Sequence, residues 1–149
     1  MAKMDFYMKG YLNHPKETNE FFSEDGFIHT GDLGHYNKNG ILYFDGRLKE
    51  LIKYKNNHLF PMEIENIISS HADVLEVAVF GKPDPIVQEY VTAAVVKRSG
   101  SNLTVKDIVN LVDTKVEDYK RLRGGVIFLR RLPKNPQGKV QRSRLLKMY

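Results

Sequence analysis

Lys139 closes the run Pro133-Lys134-Asn135-Pro136-Gln137-Gly138-Lys139, in which two prolines and a glycine make a loop and the last position is an ammonium. A lysine placed this way suits a mobile donor that reaches anionic oxygens in a site built mostly by another domain. Asp32 follows a Thr30-Gly31 turn, where a carboxylate can accept two hydrogen bonds from neighbouring donors. Between Arg47 and Lys55 four further cations, Arg47, Lys49, Lys53 and Lys55, alternate with the apolar Leu48, Ile52 and Tyr54. Each has a plainer alternative: a turn-capping Asp, a strand-edge Arg, a solvated Gly-Lys loop.

These groups need elements to hold them. Asp25-Gly26 and Asn37-Lys38-Asn39-Gly40 are turn signals, followed by Phe27–Thr30 as a short strand and Ile41–Phe44 as a buried one. Met1–Gly10 shows no cap or periodicity, and Gly10–Glu24 is polar and turn-rich. Asp45-Gly46 breaks the pattern, and residues 47–54 alternate as a strand. Pro61 suits a first helical position; Ile64, Ile67, Ile68 and His71 follow helical spacing, so a helix is expected to end near Ser70. Val74–Phe80 and Tyr90–Val96 are β-branched core strands around the loop Gly81–Pro85. Thr104 with Asp107 resembles an N-terminal cap, although Glu or Gln is usual at the second position, and Ile108, Leu111, Val112 and Lys115 form the stripe of a second helix. Val126–Leu129 is a further strand, and Arg142–Met148 a closing short helix. The expected fold class is α+β: a small mixed sheet with packed helices over 46–149, preceded by β-rich pieces over 1–45.

A chain of 149 residues holds one domain, or a small domain and part of another. No apolar run approaches the about 20 residues that span a bilayer, and no secretory signal is visible. With no cysteine, disulfides and thiolate metal sites are excluded, and the five histidines lack metal-ligand spacing. The net charge of +5 is unevenly spread: Tyr119–Tyr149 holds ten Lys or Arg and no acid, leaving 13 basic against 18 acidic residues elsewhere. Such an end can face ATP, coenzyme A phosphates, nucleic acid or water.

Three segments in order resemble motifs of adenylate-forming enzymes: His29-Thr30-Gly31-Asp32-Leu33-Gly34, Gly46–Lys55 and Pro133–Val140. With Gly10-Tyr11 and Lys120–Val126, the chain looks most like the C-terminal part of beetle luciferases and of 4-coumarate:CoA ligase type acyl-CoA synthetases. The resemblance implies attack of a carboxylic acid on MgATP to give an acyl-adenylate, then transfer of the acyl group to coenzyme A; luciferases instead oxidise the adenylate with oxygen. It implies that 46–149 is a rotating lid and 1–45 the tail of a large N-terminal AMP-binding domain, the expected partner. By the same resemblance Asp32 is the ribose ligand and Arg47 approaches the ribose and phosphate. Lys49 is the hinge; Lys139 bridges carboxylate and α-phosphate in adenylation; Lys53 serves the second half-reaction. Lys55 and Asn56 contact coenzyme A. Glycine is usual at the position of Asn56, and asparagine best tolerates the positive φ that glycine permits, so Asn56 is expected to take it.

A Ser/Thr/Gly-rich phosphate loop, an adenine-stacking aromatic and an acyl pocket are absent from the sequence, and Gly124-Gly125 lacks the spacing of a phosphate loop. The chain alone is therefore expected to be inactive, with Mg²⁺ bound mainly by the larger domain. A basic nucleic-acid-binding module is the alternative of another class; it predicts aromatic platforms, yet Phe128 is the one aromatic between Lys120 and Lys147. The expectation is a monomer without nucleic acid, intracellular and either peroxisomal or cytoplasmic, with no targeting tripeptide readable at Tyr149.

Overall fold

The computed structural model describes residues 1–3 and 6–148. Met4 and Asp5, inside the stretch read as irregular, and Tyr149, at the tip of the basic end, lie outside the described residues. The chain forms two compact units, Met1–Lys49 and Glu50–Tyr149.

In the first unit, α1 (Pro15–Phe21) begins on a proline, whose missing N–H costs nothing in a first turn. It occupies part of the stretch expected to be turn-rich; with no buried residue and no apolar stripe, its sequence carries no helical period. An antiparallel hairpin follows, β1 (Asp32–Tyr36) and β2 (Leu42–Arg47), joined by the expected turn. Asn37 Oδ1 accepts from the N–H groups of Asn39 and Ile41 at 2.9 and 3.0 Å, and Gly40 takes φ +76°, which an L side chain resists. The strand does not stop at Asp45-Gly46: a register irregularity between Leu33 and Gly34 absorbs the break, and pairing runs on to Asp32 opposite Arg47. Nor is the second strand buried. Leu42, Tyr43 and Phe44 are 59%, 48% and 55% exposed, because this two-stranded sheet has no second layer among the described residues of its unit. Phe27–Thr30 makes isolated bridges at Ile28 instead of a strand.

The second unit is an α+β domain. Residues 47–54 do not form one strand: a 3-10 turn over Leu48–Glu50 precedes β3 (Ile52–Tyr54), which turns back at Lys55-Asn56 into β4 (Asn57–Leu59). Then come α2 (Pro61–Ser69), capped at Ser70 as its spacing predicts, β5 (Val74–Asp84), β6 (Gln88–Lys97), α3 (Val105–Asp113), β7 (Gly125–Phe128) and the short α4 (Arg142–Leu146). The sheet order is β4-β3-β6-β5, with β7 parallel to β6 and all other pairs antiparallel. The expected loop Gly81–Pro85 is mostly strand. Gly81 to Asp84 pair with Val91 to Gln88, and Pro83 is tolerated because β5 is an edge strand.

Both faces of the β5–β6 hairpin are covered. Val79, Val91, Ala93 and Val95 pack under Ile64 and Ile68 of α2 and Ile108 and Val112 of α3. On the other face Ala78, Phe80, Ala94 and Val96 meet Leu132, Val140 and Leu145 from the last segment. Hence these strands read as unbroken β-branched runs rather than alternating ones. Gly124 belongs to this packing: a side-chain carbon there would collide with Oγ1 of the fully buried Thr92. Gly124 thus serves strand packing, and Gly125 supplies a backbone turn at φ +89°.

Asp107 closes a full capping box with Thr104 despite being one methylene shorter than the usual Glu. Its Oδ2 accepts from the Thr104 hydroxyl at 2.7 Å and from the Thr104 N–H at 2.9 Å. These two bonds, the hydroxyl's first, hold the Asp107 carboxyl below its ordinary 3.8. A depressed carboxyl stabilises the fold above its unfolded value and loses that contribution as pH falls through the lower folded value.

Two outcomes are expected in urea denaturation. Gly124→Ala lowers stability by about 1–3 kcal/mol through overpacking. Asp107→Asn flattens the fall in midpoint seen below the ordinary carboxylate value; an unchanged acid limb would show that the cap carries no such linkage.

Candidate functional site

Asp32 and Arg47 lie in the first unit, and the hairpin register brings them face to face. Arg47 Nε is 3.2 Å from Asp32 Oδ1, both side chains remaining solvent-accessible. The approach to Asp32 is shaped by a small turn: its N–H donates to Thr30 Oγ1 at 3.1 Å, Gly31 has φ +72°, and the Gly31 carbonyl accepts from Leu48 N–H at 2.8 Å. The pair offers a carboxylate acceptor beside a guanidinium donor, a set able to meet a diol and an anion together. Lys49 is exposed in the 3-10 turn, and the first compact unit ends on it.

The other candidates lie in the second unit. Lys53 is exposed between the buried Ile52 and Tyr54, so strand alternation turns it away from the core they fill. β3 shares one register pair with β6, Tyr54 with Gln88, and the Lys53 N–H is taken by a side chain, Glu89 Oε2, at 2.7 Å. Glu89 folds over Gly81, where an added side-chain carbon would sit 2.6 Å from its carboxyl carbon.

The turn after Lys53 departs from expectation. The positive φ falls on Lys55, at 52°, and not on Asn56. In a two-residue hairpin loop the type II′ pattern puts positive φ on the first central residue, matching the right-handed twist of the strands, and Lys55 holds that place. Both residues are exposed, with Lys55 Nζ 5.5 Å from the Tyr54 ring.

Lys139 is exposed in a loop closed on itself. Its N–H donates to Asn135 Oδ1 at 2.8 Å, its carbonyl accepts from Asn135 N–H at 2.8 Å, Gly138 takes φ +81°, and Lys134 bridges Val140. Lys53 and Lys139 therefore stand on different elements and share no partner. Neither has an ion pair among the described residues.

The basic end is partly neutralised within the fold. Lys120 sits 2.7 Å from Glu63 and 2.9 Å from Glu117; burial acts to lower its pKa, but the two carboxylates outweigh burial and raise it. Arg121 and Arg123 face Asp118, Lys134 pairs with Glu76 at 2.6 Å, and Arg142 reaches Glu50 and Glu65. Arg130, Arg131 and Arg144 line a cleft of about 670 Å³ with the Lys134–Glu76 pair. Pro133 and Lys134 of the Lys139 motif line it, but Lys139, Lys53, Lys55, Asn56, Asp32, Arg47 and Lys49 do not. Among the described residues no group of three or more His, Asp or Glu could hold a metal ion, and no helix is long and apolar enough to cross a membrane.

Sequence reasoning did not single out Glu89, Glu65, Glu50 or Arg142 as supports. Their partners lie 14 to 92 residues away, and no local period or motif spacing marks them.

The chain matches the AMP-binding enzyme C-terminal domain over residues 63–139. It is 42% identical to a luciferin 4-monooxygenase of Nipponoluciola cruciata, over 93% of this chain and 25% of that protein. It is 38% identical to the peroxisomal OPC-8:0-CoA ligase 1 of Arabidopsis thaliana, over 95% of this chain and 26% of the relative. Among solved structures, ATP-bound MatB from Rhodopseudomonas palustris superposes with a TM-score of 0.86 at 35% identity, over 95% of this chain and 28% of that one. The chain thus spans about a quarter of the length of the relatives it matches.

Strain at the hairpin tip is directly measurable. Lys55→Gly is expected to hold or raise stability, by up to about 1 kcal/mol, whereas Lys55→Val lowers it by about 1–3 kcal/mol. Thermal denaturation of the three chains checks this, and equal midpoints would remove the strain.

Proposed function

Because the chain belongs to the AMP-binding enzyme C-terminal domain family, related to luciferases and CoA ligases, we propose that its second unit is the mobile lid of an ATP-dependent acid:CoA ligase. In this reading the first unit is the tail of a large nucleotide-binding domain, and the lid turns about Lys49 to offer a different lysine to each half-reaction. The observation that carries it is the placement of two exposed ammonium groups without ion pairs among the described residues, Lys53 on β3 and Lys139 in the last loop, on separate elements of one compact unit. A rigid body with two such donors can present them in turn.

In the first half-reaction a carboxylate attacks the α-phosphate of ATP, so two anions must approach. An ammonium aimed at both offsets their repulsion and stabilises charge on the transferring group. Lys139 is that group: its backbone is pinned by Asn135 while its side chain stays in solvent. Asp32 and Arg47 act on the nucleotide, the carboxylate accepting from ribose hydroxyls and the guanidinium donating toward ribose and phosphate. In the second half-reaction Lys53 steadies charge developing on the acyl oxygen or the departing phosphate. Lys55 and Asn56, exposed at the tip of the β3–β4 hairpin, are the residues that would meet coenzyme A, which supplies the thiol that accepts the acyl group. Magnesium does not fit the residues described, which hold no carboxylate cluster for it, and is assigned to none of them.

A second reading is supported by the 42% identity to a luciferin 4-monooxygenase: the same adenylation followed by oxidation of luciferyl-AMP with O₂. Supplying the complete enzyme with luciferin, ATP, oxygen and coenzyme A separates the two, since light without thioester formation favours this second reading.

The division of labour is tested on the complete enzyme. Lys139→Ala is expected to suppress ATP–pyrophosphate exchange about 100- to 1000-fold, roughly 3–4 kcal/mol of barrier, while largely sparing thioester formation from supplied acyl-adenylate. Lys53→Ala is expected to do the reverse. Equal losses in both assays for each variant would refute it.

A further inference from the structure

Arg142 opens α4 three residues after Lys139, and its guanidinium is engaged on three sides. Nη1 donates to Glu50 Oε1 at 2.9 Å, Nη2 to Glu65 Oε1 at 2.7 Å, and Nε to the Val79 carbonyl at 3.0 Å. Glu65 Oε1 also accepts from the Val79 N–H at 2.8 Å. Val79 lies on the edge strand β5, so both of these peptide groups are satisfied by side chains where a further strand would otherwise dock. The Arg142 and Glu65 side chains are 23% and 18% exposed, shielded enough for charge-assisted bonds to fix geometry.

Among the described residues, the loop that carries Lys139 has one other charged tie to the sheet, the pair of Lys134 with Glu76 of β5 at 2.6 Å, near its N-terminal end. Its internal bonds, Asn135 to Lys139 and Gln141 N–H to the Pro133 carbonyl at 2.8 Å, close it on itself. Leu132, Val140 and Leu145 attach it by apolar contact, which is non-directional and does not set an orientation. At the C-terminal end, next to Lys139, the guanidinium supplies the direction. It ties the C-terminal end of the loop at once to α2, to the edge of the sheet, and to Glu50, the first residue of the second unit.

We infer that Arg142 is a positioning residue: the Glu50–Arg142–Glu65 bridge orients the Lys139 loop on the sheet and against the segment that follows Lys49. This rests on the reading of Lys139 as the adenylation donor. It predicts that a guanidinium is required, because three diverging acceptors suit a planar fork and exceed what the compact head of a lysine aligns.

Two measurements test it, one independent of activity. In amide hydrogen exchange on the 149-residue chain, Arg142→Ala is expected to speed exchange at the Lys139 and Gln141 N–H groups about tenfold or more, while Ile108 and Val112 keep their protection. In the complete enzyme, Arg142→Ala is expected to lower kcat for ATP–pyrophosphate exchange about 10- to 100-fold with KM for ATP little changed, and to spare thioester formation from acyl-adenylate. Arg142→Lys restores part of both, and Glu50→Gln shows a smaller loss of the same kind. Unchanged exchange at Lys139, or protection lost evenly across the sheet and α3, would overturn the inference, as would faster loop exchange with undiminished adenylation where Lys139→Ala abolishes it. If Lys139→Ala itself leaves adenylation intact while Arg142→Ala loosens the loop, the assignment of Lys139 fails and the bridge stands as an orienting device only.

Discussion

Burial of the β5–β6 hairpin on both faces is the constraint on which the second unit depends. Two helices cover one face, and the segment from Leu132 to Leu145 covers the other. Once both faces of a sheet are closed, polar chemistry is confined to edges, turns and crossing loops, because a charge in either layer would have to leave water without compensation. Lys53 and Lys139 follow this rule. One projects from a short strand beside the main hairpin, the other from the loop that crosses the second face.

Directional bonds then orient what apolar contact only holds nearby. β3 meets β6 through a single register pair, and the Glu89 carboxylate takes the Lys53 N–H that a neighbouring strand would otherwise take. The Lys139 loop is held in the same manner by Arg142, whose acceptors come from the start of the unit, from α2 and from the sheet edge. In both places one charged side chain replaces part of a β-ladder. Tethering of this kind leaves the ammonium itself in water, as a donor to an incoming anion requires.

The cationic excess of the last 31 residues is redistributed by folding. Lys120, Arg121, Arg123, Lys134 and Arg142 face carboxylates contributed by Glu50, Glu63, Glu65, Glu76, Asp113, Glu117 and Asp118. What remains without an ion pair among the described residues is Arg130, Arg131, Lys139, Arg144 and Lys147, and Lys139 stands apart from the cleft that the three arginines line. Isolated cations suit a small anionic group approached at close range.

The sequence by itself determined the elements whose signals are local. Pro61 and the Ile64–Ile68 spacing mark α2, Thr104 with Asp107 marks the start of α3, the β-branched runs mark the two long strands, and the motif order marks the family. Each depends on neighbours within a few residues, where covalent geometry and side-chain period dominate. Tertiary structure alone decided the rest. It carried β5 through Pro83 because an edge strand needs no N–H there, split residues 47–54 at a 3-10 turn, moved the positive φ from Asn56 to Lys55 to suit hairpin twist, and left the first hairpin exposed, with no layer over it among the described residues of its unit. It also chose Glu50, Glu65 and Glu89 as supports. Those choices are settled by which distant groups packing brings within about 3 Å, the range of a hydrogen bond, and no spacing along a chain encodes that distance.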